Sequence, residues 1–314
     1  MRTFLLSLII LSAGAVQAEL ALNDDGTALT LLEGGKPVWV YHYTFVQSPD
    51  GVPPEFYRAC YFHPLYGLDS EVLTQDFPND HYHHRGVFWG WPDSTWGEEK
   101  LDIWAIGGVR QVHENWITKE VEGDTARLAM TNLWVYDAHP GAPVLREHVE
   151  VVTHTADAIS RSMDFTVRFE NISDKPIVIR GATTDDKGYG GFNFRPDKTR
   201  KPFVFTTPQG VAKEDALEWK DAPWIDISYN NGIKGSGKSG VAIFQHPELP
   251  GYVHQGWILR DYGFLGQSWP HRTPYEIKPG ESVTLKHRLY IHRGGAKAGK
   301  VKQAHEAYLK SVKP

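Results

Sequence analysis

Apolar and polar residues alternate with period two along almost the whole chain, and little except stacked β-sheets can absorb so many one-faced segments. Met163, Phe165, Val167 and Phe169 form one such run, Val283, Leu285, His287, Leu289 and Ile291 a second, and Val38, Tyr41 and Tyr43 a third. Successive strand side chains point to opposite faces, so each run predicts a strand with one buried side. A helical stripe occurs only at the end, where Val301, Ala304, Tyr308, Leu309 and Val312 share a face and are expected to cap a sheet. Over 314 residues, strands of this kind must bury their apolar sides against a second layer. The expected fold is all-β, a large antiparallel β-sandwich with a short C-terminal helix. The turn signal at residues 171–176 predicts a hairpin joining the strand that ends at Glu170 to the run 177–180. No internal repeat or long linker divides the chain, so residues 19–314 read as one domain, with 232–240 as a flexible surface loop.

Residues 1–18 read as a secretory signal: Arg2 precedes an apolar run from Phe4 to Leu11, and small residues around Gln17 lead to a cut after Ala18. The expected location is periplasmic or secreted. Glu19 follows the cut, where a lipoprotein would have cysteine. No later stretch reaches the roughly 20 apolar residues of a membrane helix, so no membrane association is expected after signal removal. Cys60 is the only cysteine, which leaves no intrachain disulfide and a small buried strand residue as its plainest role. A net charge of −5 offers no footprint for nucleic acid and suits a neutral or weakly polar ligand. The 11 Trp, 14 Tyr, 14 Phe and 15 His suit sugar binding.

The densest polar cluster spans residues 63–91 and holds His63, His81, His83 and His84. An extended 81–84 segment would point His81 and His83 the same way and His84 opposite. The first two would then suit a divalent metal, with the third ligand open among His63, Asp80 or a distant residue. The same imidazoles suit metal-free acid/base work on a sugar, or simply structural hydrogen bonds. Asp80 and Arg85 flank them, Arg85 favouring a neutral imidazole if the side chains converge, and Trp89 could form a sugar floor. A second segment, 183–195, places Asp185 and Asp186 beside Lys187, then Tyr189 among glycines, then Arg195. Its spacing is not that of a phosphate-binding loop, and a solvated surface turn is the plain alternative. A third, 245–271, carries His246, His254, Trp257, Arg260, Asp261, Tyr262, Trp269 and His271. Trp257 and Trp269 could stack on sugars, and His246 or His254 could complete the first cluster; core aromatics and edge histidines are the alternative. No nucleophile elbow occurs.

Taken in order, His63-Pro64-Leu65-Tyr66, the run Asp80 to Gly86, Gly188-Tyr189-Gly190-Gly191 and His246-Pro247 resemble a bacterial family labelled PmoA-like, exported proteins of unknown function. The label comes from a methane monooxygenase subunit, a multi-span membrane protein, and this chain has no span after its leader. The resemblance implies an exported sandwich akin to the galactose-mutarotase supersandwich, in carbohydrate-degradation contexts. Sites of that kind use a His acid and a Glu base across an open sheet face, and Glu147 is the candidate here. The expected function is carbohydrate-active: His-dependent acid/base chemistry, with or without a metal, on a sugar or glycoside, as lyase, hydrolase or epimerase. His81, His83 and His84 would be acid, base or ligands, supported by His63. Arg85, Asp80, Lys187, Tyr189, Arg195, Trp89, His246 and Trp257 would bind substrate. The alternative is a noncatalytic glycan-binding or accessory protein. Convergence of the imidazoles with Lys187 in a small-molecule pocket favours the enzyme, and a shallow aromatic groove the binder.

Overall fold

The computed structural model describes residues 19–213, 215–233 and 237–312. The leader therefore lies outside the described residues, as does the middle of the 232–240 loop. Alternation becomes structure where it was strongest: the strand Ser160–Asn171 buries Met163, Phe165, Val167 and Phe169, every second residue. It sits inside a nine-stranded antiparallel sheet ordered Gly210–Val211, Val204–Thr207, Trp224–Asn230, Lys238–Gln245, Ser282–Arg293, Ser160–Asn171, Pro143–His154, Thr125–Tyr136, Val109–Glu122. A second nine-stranded sheet runs Leu20–Asp24, Ala28–Glu33, Lys36–His42, Tyr61–Leu65, Val87–Gly90, Gly191–Phe194, Phe264–Ser268, Gly256–Arg260, Ala216–Glu218.

The inward faces of both sheets form one core. Phe62 of one meets Phe165 of the other edge-on at 5.5 Å, and Trp39 Nε1 donates across to Thr153 Oγ1 at 3.0 Å. Each fully buried side chain of this kind contributes about 1.5–3 kcal/mol. At the centre lies Glu147, fully buried, its Oε1 accepting from Trp89 Nε1 (2.9 Å), Gln111 Nε2 (2.8 Å) and Trp134 Nε1 (2.6 Å), and its Oε2 from Asn132 Nδ2 (3.1 Å). Cys60 is buried too, and burial pushes its thiol well above its ordinary range, as expected of an inert core residue.

Two expectations need correction. Ile177–Ile179 does not fold back on the strand before it; it pairs with Tyr275–Ile277 and Ser94–Trp96 in a separate four-stranded sheet. Both edges of Ser160–Asn171 are already taken, by Pro143–His154 and Ser282–Arg293. Asn171 directs the chain away, its Nδ2 donating to the carbonyls of Lys175 and Ile277 at 2.8 Å each. The loop at 232–240 is shorter than expected, because the strand Lys238–Gln245 begins within it and buries Ser239 and Gly240. The helix Val301–Ser311 caps the outer side of the first-described sheet, packing Val301 and Tyr308 on Trp224, Ala242, Phe244 and Tyr290. Among the described residues, no helix is long and apolar enough to cross a membrane.

Alternation also buries a titratable group. His287 lies flat on Phe192 at 4.8 Å, with Nε2 3.0 Å from Gln267 Oε1, and burial, helped by nearby His246, pushes its pKa down to about 3. An unfolded imidazole titrates near 6.5, so between 6.5 and about 3 the unfolded chain binds a proton that the folded chain refuses. Stability is full above that window and falls with pH inside it, by about 1.4 kcal/mol per pH unit for each such group. His287→Leu is expected to flatten the pH dependence of the denaturant-unfolding free energy by about one proton across this window. An unchanged slope would show that His287 protonates in the folded chain.

Candidate functional site

Strand parity decides which side chains leave the core. In Tyr61–Leu65, Val87–Gly90, Gly256–Arg260 and Phe264–Ser268, the side chains of Tyr61, Phe88, Ile258 and Phe264 point away from the core and form a second apolar cluster with Trp104. Their strand neighbours Phe62, Trp89, Trp257 and Leu265 point inward. A pocket of about 330 Å³ stands on this outer floor. His81, His83, His84, Lys187 and Tyr189 line it, together with Asp102, Trp104, Arg260 and Tyr262.

The three histidines meet because residues 81–84 turn. The His84 N–H donates to the His81 carbonyl at 2.9 Å, which closes a tight turn and cancels the opposite facing expected of an extended segment. The His81 and His84 rings stack at 4.6 Å and 5° apart, and His83 stands edge-on to His84 at 4.5 Å and to His81 at 5.7 Å. Tyr262 continues the stack on His81 at 5.1 Å, and Phe264 packs on His84 at 4.5 Å. Arg85 holds the turn from behind: it is fully buried, donates to the carbonyls of Tyr82 (2.7 Å) and Phe56, and lies 3.2 Å from Asp76. It reaches the imidazoles only as a nearby charge.

Imidazole lone pairs lie in the ring plane, so the parallel His81 and His84 rings cannot both aim at one ion. His81 and His83 are not parallel, yet among the described residues no three His, Cys, Asp or Glu side chains group as a metal site would require.

Burial dominates the protonation of the site. It pushes His83 down to about 3, aided by the charges of His81, Arg58, Arg85 and Arg195, and holds His84 well below the ordinary imidazole range. His81 is lowered by burial against the opposing pull of Asp80, whose Oδ2 is 3.2 Å from Nδ1. His84 Nδ1 is buried without a hydrogen-bond partner. Burial raises Asp102, although its Oδ1 accepts from the Ala105 N–H at 2.8 Å. The pocket thus holds three imidazoles that burial moves down and a carboxyl that burial moves up.

The remaining candidates divide. Lys187 and Tyr189 arrive on a loop whose Gly188 has φ +69° and presses against the His271 ring, where a Cβ would come within 2.6 Å. Asp185 and Asp186 are exposed, the solvated turn that was the plain alternative. Asp80 and Arg195 flank the pocket: both Asp80 oxygens accept from Arg195 Nη2 at 2.8 Å, and Arg195 lies over Tyr262 at 5.0 Å. These bonds outweigh burial and hold the Asp80 carboxyl below the usual range. His63 does not line the pocket; its Nδ1 is 2.9 Å from Thr74 Oγ1. Trp89 and Trp257 are core residues by parity, and Trp269 donates to the Pro250 carbonyl within the same core. His246 sits beside Tyr308 of the C-terminal helix, 5.9 Å between rings, away from the pocket. Glu147 lies between the sheets, with its acceptor capacity used there. Asp102 and Trp104 were missed in the sequence. They lie on a loop, where side-chain direction follows no period, and the only local hint was an Asp and a Trp before Gly107-Gly108.

Residues 28–306 match the family of unknown function DUF6807. The chain belongs to that family. The description of DUF6807 carries no methane monooxygenase activity. No curated protein matches this DUF6807 chain. Among solved structures it is similar to the α-galactosidase from Lactobacillus brevis, at 9% identity and a TM-score of 0.45, covering 90% of this chain and 40% of that one. It is also similar to a mutant of heparan sulfate lyase HepC from Pedobacter heparinus, at 11% identity and a TM-score of 0.39, covering 92% of this chain and 37% of that one. The chain thus spans about two fifths of the length of each of these structures.

Proposed function

We propose that this DUF6807 protein is an enzyme that binds a sugar or glycoside in the pocket and catalyses proton transfer on it, with His83 as base and Asp102 as acid. The observation that carries this reading is convergence: three unprotonated imidazoles, a raised carboxyl, two cations and the flat faces of Trp104, Tyr189 and Tyr262 share about 330 Å³. That size suits a small molecule, and burial shifts the imidazoles down and the carboxyl up, the directions a base and an acid need. His83 takes a proton from a substrate C–H or O–H, and Asp102 delivers one to the departing or receiving oxygen. His81 and His84 accept hydrogen bonds from sugar hydroxyls, and Trp104 and Tyr189, 5.0 Å apart, wall the ring. Most glycoside hydrolases require two carboxylates in reach of the scissile bond. Among the described residues only Asp102 lines this pocket, which favours lyase or epimerase chemistry over hydrolysis.

The test is a panel of free sugars, sugar acids and aryl glycosides followed by NMR, with the wild-type chain and with Trp104→Ala. Turnover by wild type is expected, with KM raised about tenfold in the variant and kcat within about threefold, as loss of a stacking wall implies. Saturable binding without turnover of any member, surviving His83→Ala, would overturn the enzymatic reading in favour of a glycan-binding protein.

A further inference from the structure

The pocket carries a charge that the chain as a whole does not. Against a net charge of −5, two of its lining side chains are cations, Lys187 and Arg260. Their partners stand in solvent: Lys187 Nζ is 3.0 Å from Asp185, whose side chain is 73% exposed, and Arg260 Nη1 is 3.7 Å from Asp215, 39% exposed. Exposed pairs of this kind are weak, so either cation can exchange its partner for a ligand oxygen. Two further guanidinium groups sit buried behind the walls, Arg195 over Tyr262 at 5.0 Å and Arg58 over Phe88 at 4.8 Å. Neither is fully paired: Arg195 Nε and Nη1 and Arg58 Nη1 have no hydrogen-bond partner. Asp80 answers Arg195 and the Glu147 charge acts on Arg58, so the surplus lies with Lys187 and Arg260, against which Asp102 is the one carboxyl among the described residues lining the pocket. The pocket lining thus carries two cations against one carboxyl, a positive field that an anionic ligand would answer.

Resting on the sugar reading above, we infer that the substrate is a carboxylate-bearing sugar, a uronic acid or a glycoside of one, with Arg260 and Lys187 holding the carboxylate. A guanidinium presents a planar fork that matches a carboxylate, and Arg260 follows Ile258 on the pocket side of its strand, a rigid mount. The same anion answers a problem in the free site. Burial and neighbouring cations leave His83 a weak base, and a bound carboxylate restores its basicity just when substrate is present. The carboxyl group also acidifies the adjacent C–H, the proton that a neutral imidazole in this position would take.

Calorimetric titration of wild type, Arg260→Gln and Lys187→Gln tests this with D-glucuronate, D-galacturonate and their methyl glycosides, against the matched neutral sugars and acetate, at low and high salt. Uronates are expected to bind at least about tenfold more tightly than their neutral counterparts. That gap should shrink to about threefold or less in Arg260→Gln and narrow in Lys187→Gln, with circular dichroism unchanged. Neutral sugars binding as tightly as uronates would overturn the inference and leave the sugar reading standing. Acetate binding as tightly as the uronates would also overturn it, revealing a plain anion site. Failure of every sugar, charged and neutral, would overturn the sugar reading and this inference with it.

Discussion

His83→Ala and Asp102→Asn should each lower kcat by about 10²–10⁴-fold on any substrate found, and the double variant should lose little more than the worse single. Non-additivity follows from the roles: once either end of the proton path is gone, the other has nothing to exchange with. The two variants differ in pH dependence. Asp102 is raised by burial, so the wild-type rate should fall as pH climbs through its shifted pKa, and Asp102→Asn should lose that alkaline limb. His83 is held near 3 in the free site, so kcat/KM should fall only in strong acid, and His83→Ala should lose that limb. Rate profiles over pH with each variant, alongside circular dichroism, check both. Turnover undiminished in His83→Ala with the fold intact would remove His83 from the mechanism.

A second large effect is expected between the sheets, at a residue that does not line the pocket. Glu147→Ala should destabilise the fold by about 3–5 kcal/mol, because it strands four buried donors, Trp89 Nε1, Gln111 Nε2, Trp134 Nε1 and Asn132 Nδ2, between the sheets. Glu147→Gln should cost less, about 1–2 kcal/mol. Its one carbonyl oxygen can keep the three bonds made by Oε1, and the Asn132 amide can flip to offer its oxygen to the new NH₂. Denaturant unfolding midpoints would separate the two. The folded fraction of Glu147→Gln should keep its pocket and its turnover. If Glu147→Gln instead lost kcat while remaining as stable as wild type, Glu147 would belong to the chemistry and the core account would fail.

Much of the sandwich was legible because β-strands repeat every two residues, and that repeat survives in one dimension. Met163 to Phe169 and Val283 to Ile291 are buried where alternation put them, and the helix covers a sheet with the Val301 and Tyr308 face it was expected to use. Pairing was less legible. A turn signal at 171–176 was real, yet Ile177–Ile179 joined a third sheet, since hairpin chemistry cannot see that both edges of its neighbour are occupied.

The site shows the same division at closer range. Residue types singled out segments that meet: His81, His83, His84, Lys187 and Tyr189 come from two stretches separated by about a hundred residues and line one pocket. Facing was misread wherever local geometry departed from the assumed period. The turn at 81–84 brought His84 round to His81, and strand parity sent Trp89 and Trp257 inward while Ile258 and Arg260 lined the pocket.

What the sequence determined alone is therefore the part governed by short-range periodicity: an all-β chain, one terminal helix, and a histidine-rich segment among aromatics. Only the tertiary structure decided which polar groups share a low-dielectric space. It placed Glu147 in the core with its acceptor capacity filled, and Asp102, unremarkable on its loop, in the same pocket as the imidazoles. The reason is physical: a side chain's pKa and reach depend on burial and on neighbours distant in the chain, and neither quantity exists before the sheets stack.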